Sequence, residues 1–186
     1  IVEQCITSSK NRFKNRSASH GKSNAVKRSE PIKSQKEHCL SRLTSGYSEF
    51  DRVLGGGVVP GSLVLVGGDP GIGKSTLLLQ SATAMALNES VLYVSAEESA
   101  QQVRLRWERL TESKSNLQLL AETDLELILQ ELESLKPSVA IIDSIQALHD
   151  ENLSGAPGSV GQVRECSSAL QRLAKQQNTA LFIVGH

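Results

Sequence analysis

A doubly wound, mainly parallel α/β sheet is the fold class this sequence predicts, and three observations carry it. Short apolar runs at 63–66, 91–94, 139–142 and 180–184 are separated by helical stretches, and strands alternating with helices build a parallel sheet covered on both faces. The runs are continuously apolar, as strands buried on both faces are. The first run leads through a glycine-rich turn straight into a helix. In such folds ligands lie at the carboxyl ends of the strands.

The elements follow in order. Residues 1–42 hold ten Lys/Arg against three Asp/Glu and residues 43–186 hold ten against seventeen, so a net charge of zero conceals segments of +7 and −7. The first segment is Ser- and Lys-rich with Phe13 its only aromatic residue, too little apolar surface to fold. It reads as a flexible basic arm or linker, and 43–186 as one domain. Clustered basic residues would bind nucleic acid by releasing phosphate counterions; a solvated linker is the plainer and preferred reading. Residues 48–54 predict a short helix with Ser48 and Asp51 at capping-box spacing. Gly55-Gly56-Gly57 stops it, and Pro60-Gly61 turns into the first strand. Helices are expected at about 75–87 and 100–110, with a short strand at 117–120. Thr123 or Asp124 caps a helix carrying Leu125, Ile128, Leu129, Leu132 and Leu135 at helical spacing, ended by Lys136-Pro137. A strand at 139–143, a Gly- and Ser-rich loop, a helix over about 159–177 and a strand at 180–184 complete the chain. Cys5, Cys39 and Cys166 are odd in number and lack C-x-x-C spacing, which suits a reducing compartment and makes no zinc site. No apolar run approaches the ~18 residues of a membrane span, and no signal-peptide core is present. A cytoplasmic protein without a membrane partner is expected.

The chemistry starts at Gly68-Asp69-Pro70-Gly71-Ile72-Gly73-Lys74-Ser75, followed by Thr76. This spells G-x-x-x-x-G-K-S in the strand-loop-helix context that a phosphate-binding loop requires. The glycines allow the loop to turn its N–H groups inward around an anion. Lys74 would lie on the β- and γ-phosphates and Ser75 would offer a hydroxyl to Mg²⁺. The positive end of the following helix dipole faces the same anion. A nucleoside triphosphate ligand follows. Asp143 closes an apolar strand in the form of a Walker B carboxylate and would join Ser75, directly or through water, as a Mg²⁺ ligand. Glu97 and Glu98 follow the strand 91–94. A carboxylate there can polarise the water that attacks the γ-phosphate, while Ser95-x-x-Glu98 also fits a capping box. Glu97 is therefore the expected catalytic residue and Glu98 the structural one. The polar loop 152–161, with Ser154, Gly155 and Gly158, would close on a ligand or a nucleic-acid strand, or simply connect two elements. Arg164 beyond it would reach a phosphate. Arg104, Arg106 and Arg109 with Trp107 read as a solvated charged face around a packed tryptophan, in preference to a DNA-stacking platform. His186 ends the last strand as a candidate γ-phosphate sensor; His20, His38 and His149 show no partner pattern.

Leu54-Gly55-Gly56-Gly57, Pro60-Gly61-Ser62 and the segment 67–76 together resemble the ATPase core of the bacterial RadA (Sms) family. So do Tyr93-Val94-Ser95-Ala96-Glu97-Glu98-Ser99, Leu120-Ala121-Glu122-Thr123-Asp124 and Ile142-Asp143-Ser144-Ile145-Gln146. Ala156-Pro157-Gly158-Ser159, Gln162-Val163-Arg164-Glu165-Cys166 and Val184-Gly185-His186 complete the similarity, which runs from 43 to the end. Any one segment would also fit RecA, KaiC or DnaB. The resemblance implies a RecA-like P-loop NTPase fold, with ATP and Mg²⁺ as cofactors. It implies DNA-stimulated ATP hydrolysis on single-stranded or branched DNA, in recombinational repair and branch migration. It further implies homo-hexameric rings, a RecA-type recombinase as partner, and a nucleoid-associated cytoplasmic location. Glu97 falls on the family's catalytic glutamate position, and 152–161 near its first DNA-facing loop. The family also carries an N-terminal four-cysteine zinc finger, a Lys-Asn-Arg-Phe-Gly motif after the core's last strands and a Lon-protease-like domain, none of which stands in this sequence. Lys10-Asn11-Arg12-Phe13 lies on the wrong side of the phosphate loop and is coincidence. The expectation is a fragment, its finger cut off upstream, that binds ATP and hydrolyses it weakly alone. A KaiC-like ATPase and kinase, and a non-catalytic ATP-binding regulatory module, are the alternatives.

Overall fold

In the computed structural model, which describes residues 41–110 and 115–186, five strands form one sheet: β1 (Leu63–Gly67), β2 (Val91–Ser95), β3 (Gln118–Ala121), β4 (Val139–Asp143) and β5 (Ala180–Gly185). Their order is β1-β5-β4-β2-β3, and every neighbouring pair is parallel. All but residues 41 and 42 of the expected basic arm, with Cys5 and Cys39, lie outside the described residues. Successive side chains of a strand point to opposite faces, so β2 sends Val91 and Tyr93 one way and Leu92 and Val94 the other. The first pair joins Val139, Ile141 and Phe182 in a core under α2 (Lys74–Met85) and α3 (Ala100–Leu110). The second joins Ala140, Ile142 and Ile183 under α4 (Leu125–Leu135) and α5 (Val160–Gln177). Burial of each valine, leucine, isoleucine or phenylalanine among them contributes about 1.5–3 kcal/mol, so the two-sided core outweighs local propensity. β2, β4 and β5 are buried throughout, which is why they read as unbroken apolar runs.

Several element ends differ from the expected ones. The short helix α1 (Ser48–Val53) has Tyr47 at its N-cap and no side-chain cap bond. Asp51 instead accepts from the Ser45 amide at 2.8 Å and the Thr44 hydroxyl at 2.6 Å. The Ser48/Asp51 box fails because the turn at 44–46 folds back over the helix and offers Asp51 nearer donors. Gly46 seats that turn: its φ is +84°, and a Cβ there would lie 2.4 Å from the Ala84 Cβ. Arg42 donates to the carbonyls of Leu54 and Gly57 and so closes the triple-glycine turn. Asp124, not Thr123, caps α4, accepting from the Glu126 amide at 2.8 Å, and Lys136 ends that helix with a left-handed φ of 48°. Ser159 caps α5. No helix among the described residues is long and apolar enough to cross a membrane.

Candidate functional site

The register of the sheet decides where the functional residues meet. Gly67 pairs with Gly185 and Ser95 with Asp143, so β1, β5, β4 and β2 end level, and the loops leaving them form one rim. From β1 the chain turns through Gly68, Gly71 and Gly73 into α2, with φ values of +150°, +82° and +98°. Space around Gly71 and Gly73 is open; their left-handed backbone, not crowding, demands glycine there. Gly73 is the N-cap of α2 and no side chain bonds the helix's first amides, which leaves those N–H groups as donors for an anion. The Lys74 ammonium folds over the loop and donates to the carbonyls of Gly68 at 2.6 Å and Asp69 at 2.8 Å. Asp69, Pro70 and Ile72 form the exposed outer edge, while Ser75 and Thr76 are half-buried in the first turn of α2.

Two carboxylates stand on the same rim, and each is held by a hydroxyl from the other's strand. Asp143 is only 7% exposed and accepts at Oδ2 from the Tyr93 hydroxyl of β2 at 2.5 Å. Burial first, and then the Asp143 charge, push the Tyr93 phenol well above its ordinary value, so it stays protonated as a donor. Conversely Glu97, exposed just beyond β2, accepts at Oε1 from the hydroxyl of Ser144, the residue after β4. Neither hydroxyl is picked out by sequence reading. Tyr93 looks like one more core residue, although a buried phenol usually finds a hydrogen-bond partner.

Glu98 does not close a capping box with Ser95. Ser95 Oγ does bond the Glu98 backbone, but α3 begins later, and its box is Ser99 with Gln102: the Ser99 amide donates to Gln102 Oε1 at 2.9 Å. The Glu98 carboxylate is thereby free to pair with Arg106 at 2.9 Å. That corrects the view of Arg104, Arg106 and Arg109 as one solvated face. Arg104 and Arg109 are exposed, whereas the Arg106 side chain is 18% exposed and turned inward onto the turn that carries Glu97. Trp107 packs half-buried and donates to the Thr83 hydroxyl at 2.9 Å.

The loop after β4 is wound around Gln162, a residue the sequence reading gave no role. Gln162 is 1% exposed. Its Oε1 accepts from the Asp150 amide at 2.9 Å, and its Nε2 reaches the carbonyls of Asp150, Leu153 and Gly155 at 3.1–3.3 Å. Ser154, Gly155, Gly158 and Arg164 are exposed on its outer side. Gly158 rests against the 3₁₀ turn Ile145–Ala147, where an added Cβ would stand 3.4 Å from the Gln146 carbonyl. The Gln146 amide in turn donates to the His186 carbonyl at 2.9 Å. A cleft of about 470 Å³, lined in part by Gly67, Gly68, Gln146, Gly185 and His186, separates this turn from the glycine loop. The loop, the turn and the phosphate-type cradle are thus neighbours.

A family model described as an AAA domain matches residues 41–186. The chain belongs to the AAA domain family. Among curated proteins it is 53% identical over 164 residues to the DNA repair protein RadA of Streptococcus pyogenes serotype M1, covering 87% of this chain and 36% of that protein. It is 53% identical over 157 residues to RadA of Listeria monocytogenes, covering 84% and 34%. RadA of Synechocystis is 56% identical over 163 residues, covering 78% and 32%. The chain therefore spans about a third of the length of the curated relatives it matches. The α/β fold with its five-stranded parallel sheet is that of a RecA-like P-loop AAA domain.

Proposed function

We propose that this domain binds and hydrolyses ATP with Mg²⁺, and that in the longer protein the reaction drives work on single-stranded or branched DNA during recombinational repair. The observation that carries the proposal is the shared rim: an amide-lined glycine loop with its lysine, a buried aspartate and an exposed glutamate leave adjacent strands at one level. The loop residues 68–76 hold the phosphates, with Gly71 and Gly73 shaping the cradle and Lys74 exchanging its two carbonyl partners for phosphate oxygens. Ser75 and Asp143 supply hard oxygen donors suited to Mg²⁺. Tyr93 takes one Asp143 oxygen, and Oδ1 has no hydrogen-bond partner among the described residues, so the donor set fits the ion. When bound, Mg²⁺ neutralises charge on the β- and γ-phosphates. Glu97 orients the attacking water and accepts its proton through its free oxygen. Catalysis of this kind is mostly positioning and charge stabilisation, and a basic residue from a neighbouring subunit of a hexameric ring completes it. His186, bonded to the Gln146 turn, reads the γ-phosphate.

The similarity to DNA repair proteins named RadA supports DNA as the polymer acted on. Ser154, Gly155, Gly158 and Arg164 on the exposed side of the 152–161 loop are the contacts we assign to it, and a RecA-type recombinase is the partner. In the full-length protein, Glu97→Gln is expected to leave ATP affinity within about twofold and to lower turnover by about 100-fold or more. Near-normal hydrolysis in that variant would remove Glu97 from the mechanism. Equal affinity for single-stranded DNA with ATP and with ADP would refute the claim that ATP turnover drives work on DNA.

A further inference from the structure

We infer that Ser144 is a positioning residue for Glu97, its hydroxyl holding the carboxylate at the angle from which the other oxygen meets the attacking water. The inference rests on Glu97 being the general base. The sheet brings the pair together: Ser95 and Asp143 are the last partners in the β2–β4 register, and the Ala96 amide still donates to the Asp143 carbonyl at 2.7 Å. Glu97 and Ser144 therefore leave the sheet side by side. They differ in freedom. Glu97 is exposed on a turn, and a glutamate there has several rotamers to lose on each catalytic cycle. Ser144 is 1% exposed, follows the fully buried β4, and is tied by its carbonyl to the Ala147 amide at 3.3 Å. Among the described residues its hydroxyl has one side-chain partner, Oε1 of Glu97. A rigid donor thus fixes a mobile acceptor and leaves Oε2 uncommitted. Orientation within a fraction of an ångström is what a proton-accepting group needs, and a supporting hydroxyl supplies it without touching substrate.

Ser144→Ala, Ser144→Thr and Glu97→Gln are compared in the full-length protein, with and without single-stranded DNA. Ser144→Ala is expected to lower kcat about 10- to 100-fold with KM, ATP affinity and melting temperature unchanged. Ser144→Thr, which keeps the hydroxyl, restores kcat to within about threefold. In the Glu97→Gln background the serine change adds no further loss, because the group it orients is already inert. Ser144→Ala at wild-type or higher kcat beside an inactive Glu97→Gln would overturn the inference while leaving the general base intact. An active Glu97→Gln would overturn both. Parallel losses of ATP affinity and melting temperature in Ser144→Ala, unrelieved by threonine, would mark a structural serine and sink the positioning role.

Discussion

Tyr93→Phe is the substitution whose effect on stability follows most directly from the structure. It removes one oxygen and no carbon from a fully buried ring, so no cavity opens and the packing under α2 and α3 is kept. What is lost is the 2.5 Å bond to a carboxylate that is 7% exposed. A hydrogen bond to a charged group contributes about 1.5–3 kcal/mol, and the acceptor left behind stays desolvated. Relief from burying a hydroxyl offsets part of this, leaving about 2 kcal/mol of destabilisation at pH 7, or a fall of about 6 °C in Tm for a domain of this size. The pH dependence carries a sign. The folded-state phenol titrates above its unfolded value, so its contribution is fully present below the unfolded pKa of about 10 and is lost as pH rises beyond it. There the unfolded chain has shed a proton that the native one keeps, and wild-type stability falls by up to about 1.4 kcal/mol per pH unit from this group. The phenylalanine variant lacks that slope. Urea titrations at pH 7 and pH 10.5 measure both quantities. A variant as stable as wild type at pH 7, or a gap that widens at pH 10.5, would refute the reasoning.

Two further outcomes are expected. Gln162→Leu keeps the volume of a buried side chain but drops four hydrogen bonds to the 150–155 segment; with the freed carbonyls near solvent, the cost is about 2 kcal/mol. Limited proteolysis should then nick the chain between 150 and 158 under conditions where wild type survives, and equal protection would remove Gln162 as the loop's anchor. The Cys166 thiol is buried, and that burial, followed by the Asp150 charge, pushes its pKa up to about 11. With Cys5 and Cys39 replaced by serine, Cys166 should resist a thiol reagent at pH 8 in the native state and react along the urea unfolding curve. Rapid modification of the folded chain would contradict the described packing of α5.

How much of this was legible in the sequence follows from what each feature depends on. Strand and helix order depend on local apolar runs: β4 coincides with the strand read at 139–143, β1, β2 and β5 start where their runs start and extend one residue further, and β3 is displaced by one residue at each end. The glycine loop is equally local, since the spacing of Gly68, Gly73, Lys74 and Ser75 specifies its own conformation. Caps were less secure because several oxygens compete for the same amides. Asp124 won over Thr123, and Asp51 was drawn from its own helix to the amide of Ser45. The inward turn of Arg106 could not be read from its helix alone. The helix itself was read at 100–110, where it lies, but its cap is the Ser99/Gln102 pair rather than Ser95/Glu98, which leaves the Glu98 carboxylate to Arg106.

The polar supports of the site were illegible for a different reason: each joins residues far apart in the chain that only the strand order brings together. β2 and β4 are neighbours although α3, β3 and α4 intervene in sequence. Once they pair in the Ser95–Asp143 register, Tyr93 of β2 lies under the Asp143 carboxylate, and Ser144 beyond β4 lies beside Glu97 beyond β2. The exchange has a mechanical consequence. A one-residue slip between these strands would flip Tyr93 to the other face and separate Ser144 from Glu97 in the same step. Both carboxylates would then lose their donors together. The apolar cores that lock the register therefore also fix the two charged groups, and a substitution that loosens β2 against β4, such as Ile141→Ala, is expected to lower turnover more than its effect on ATP affinity would indicate.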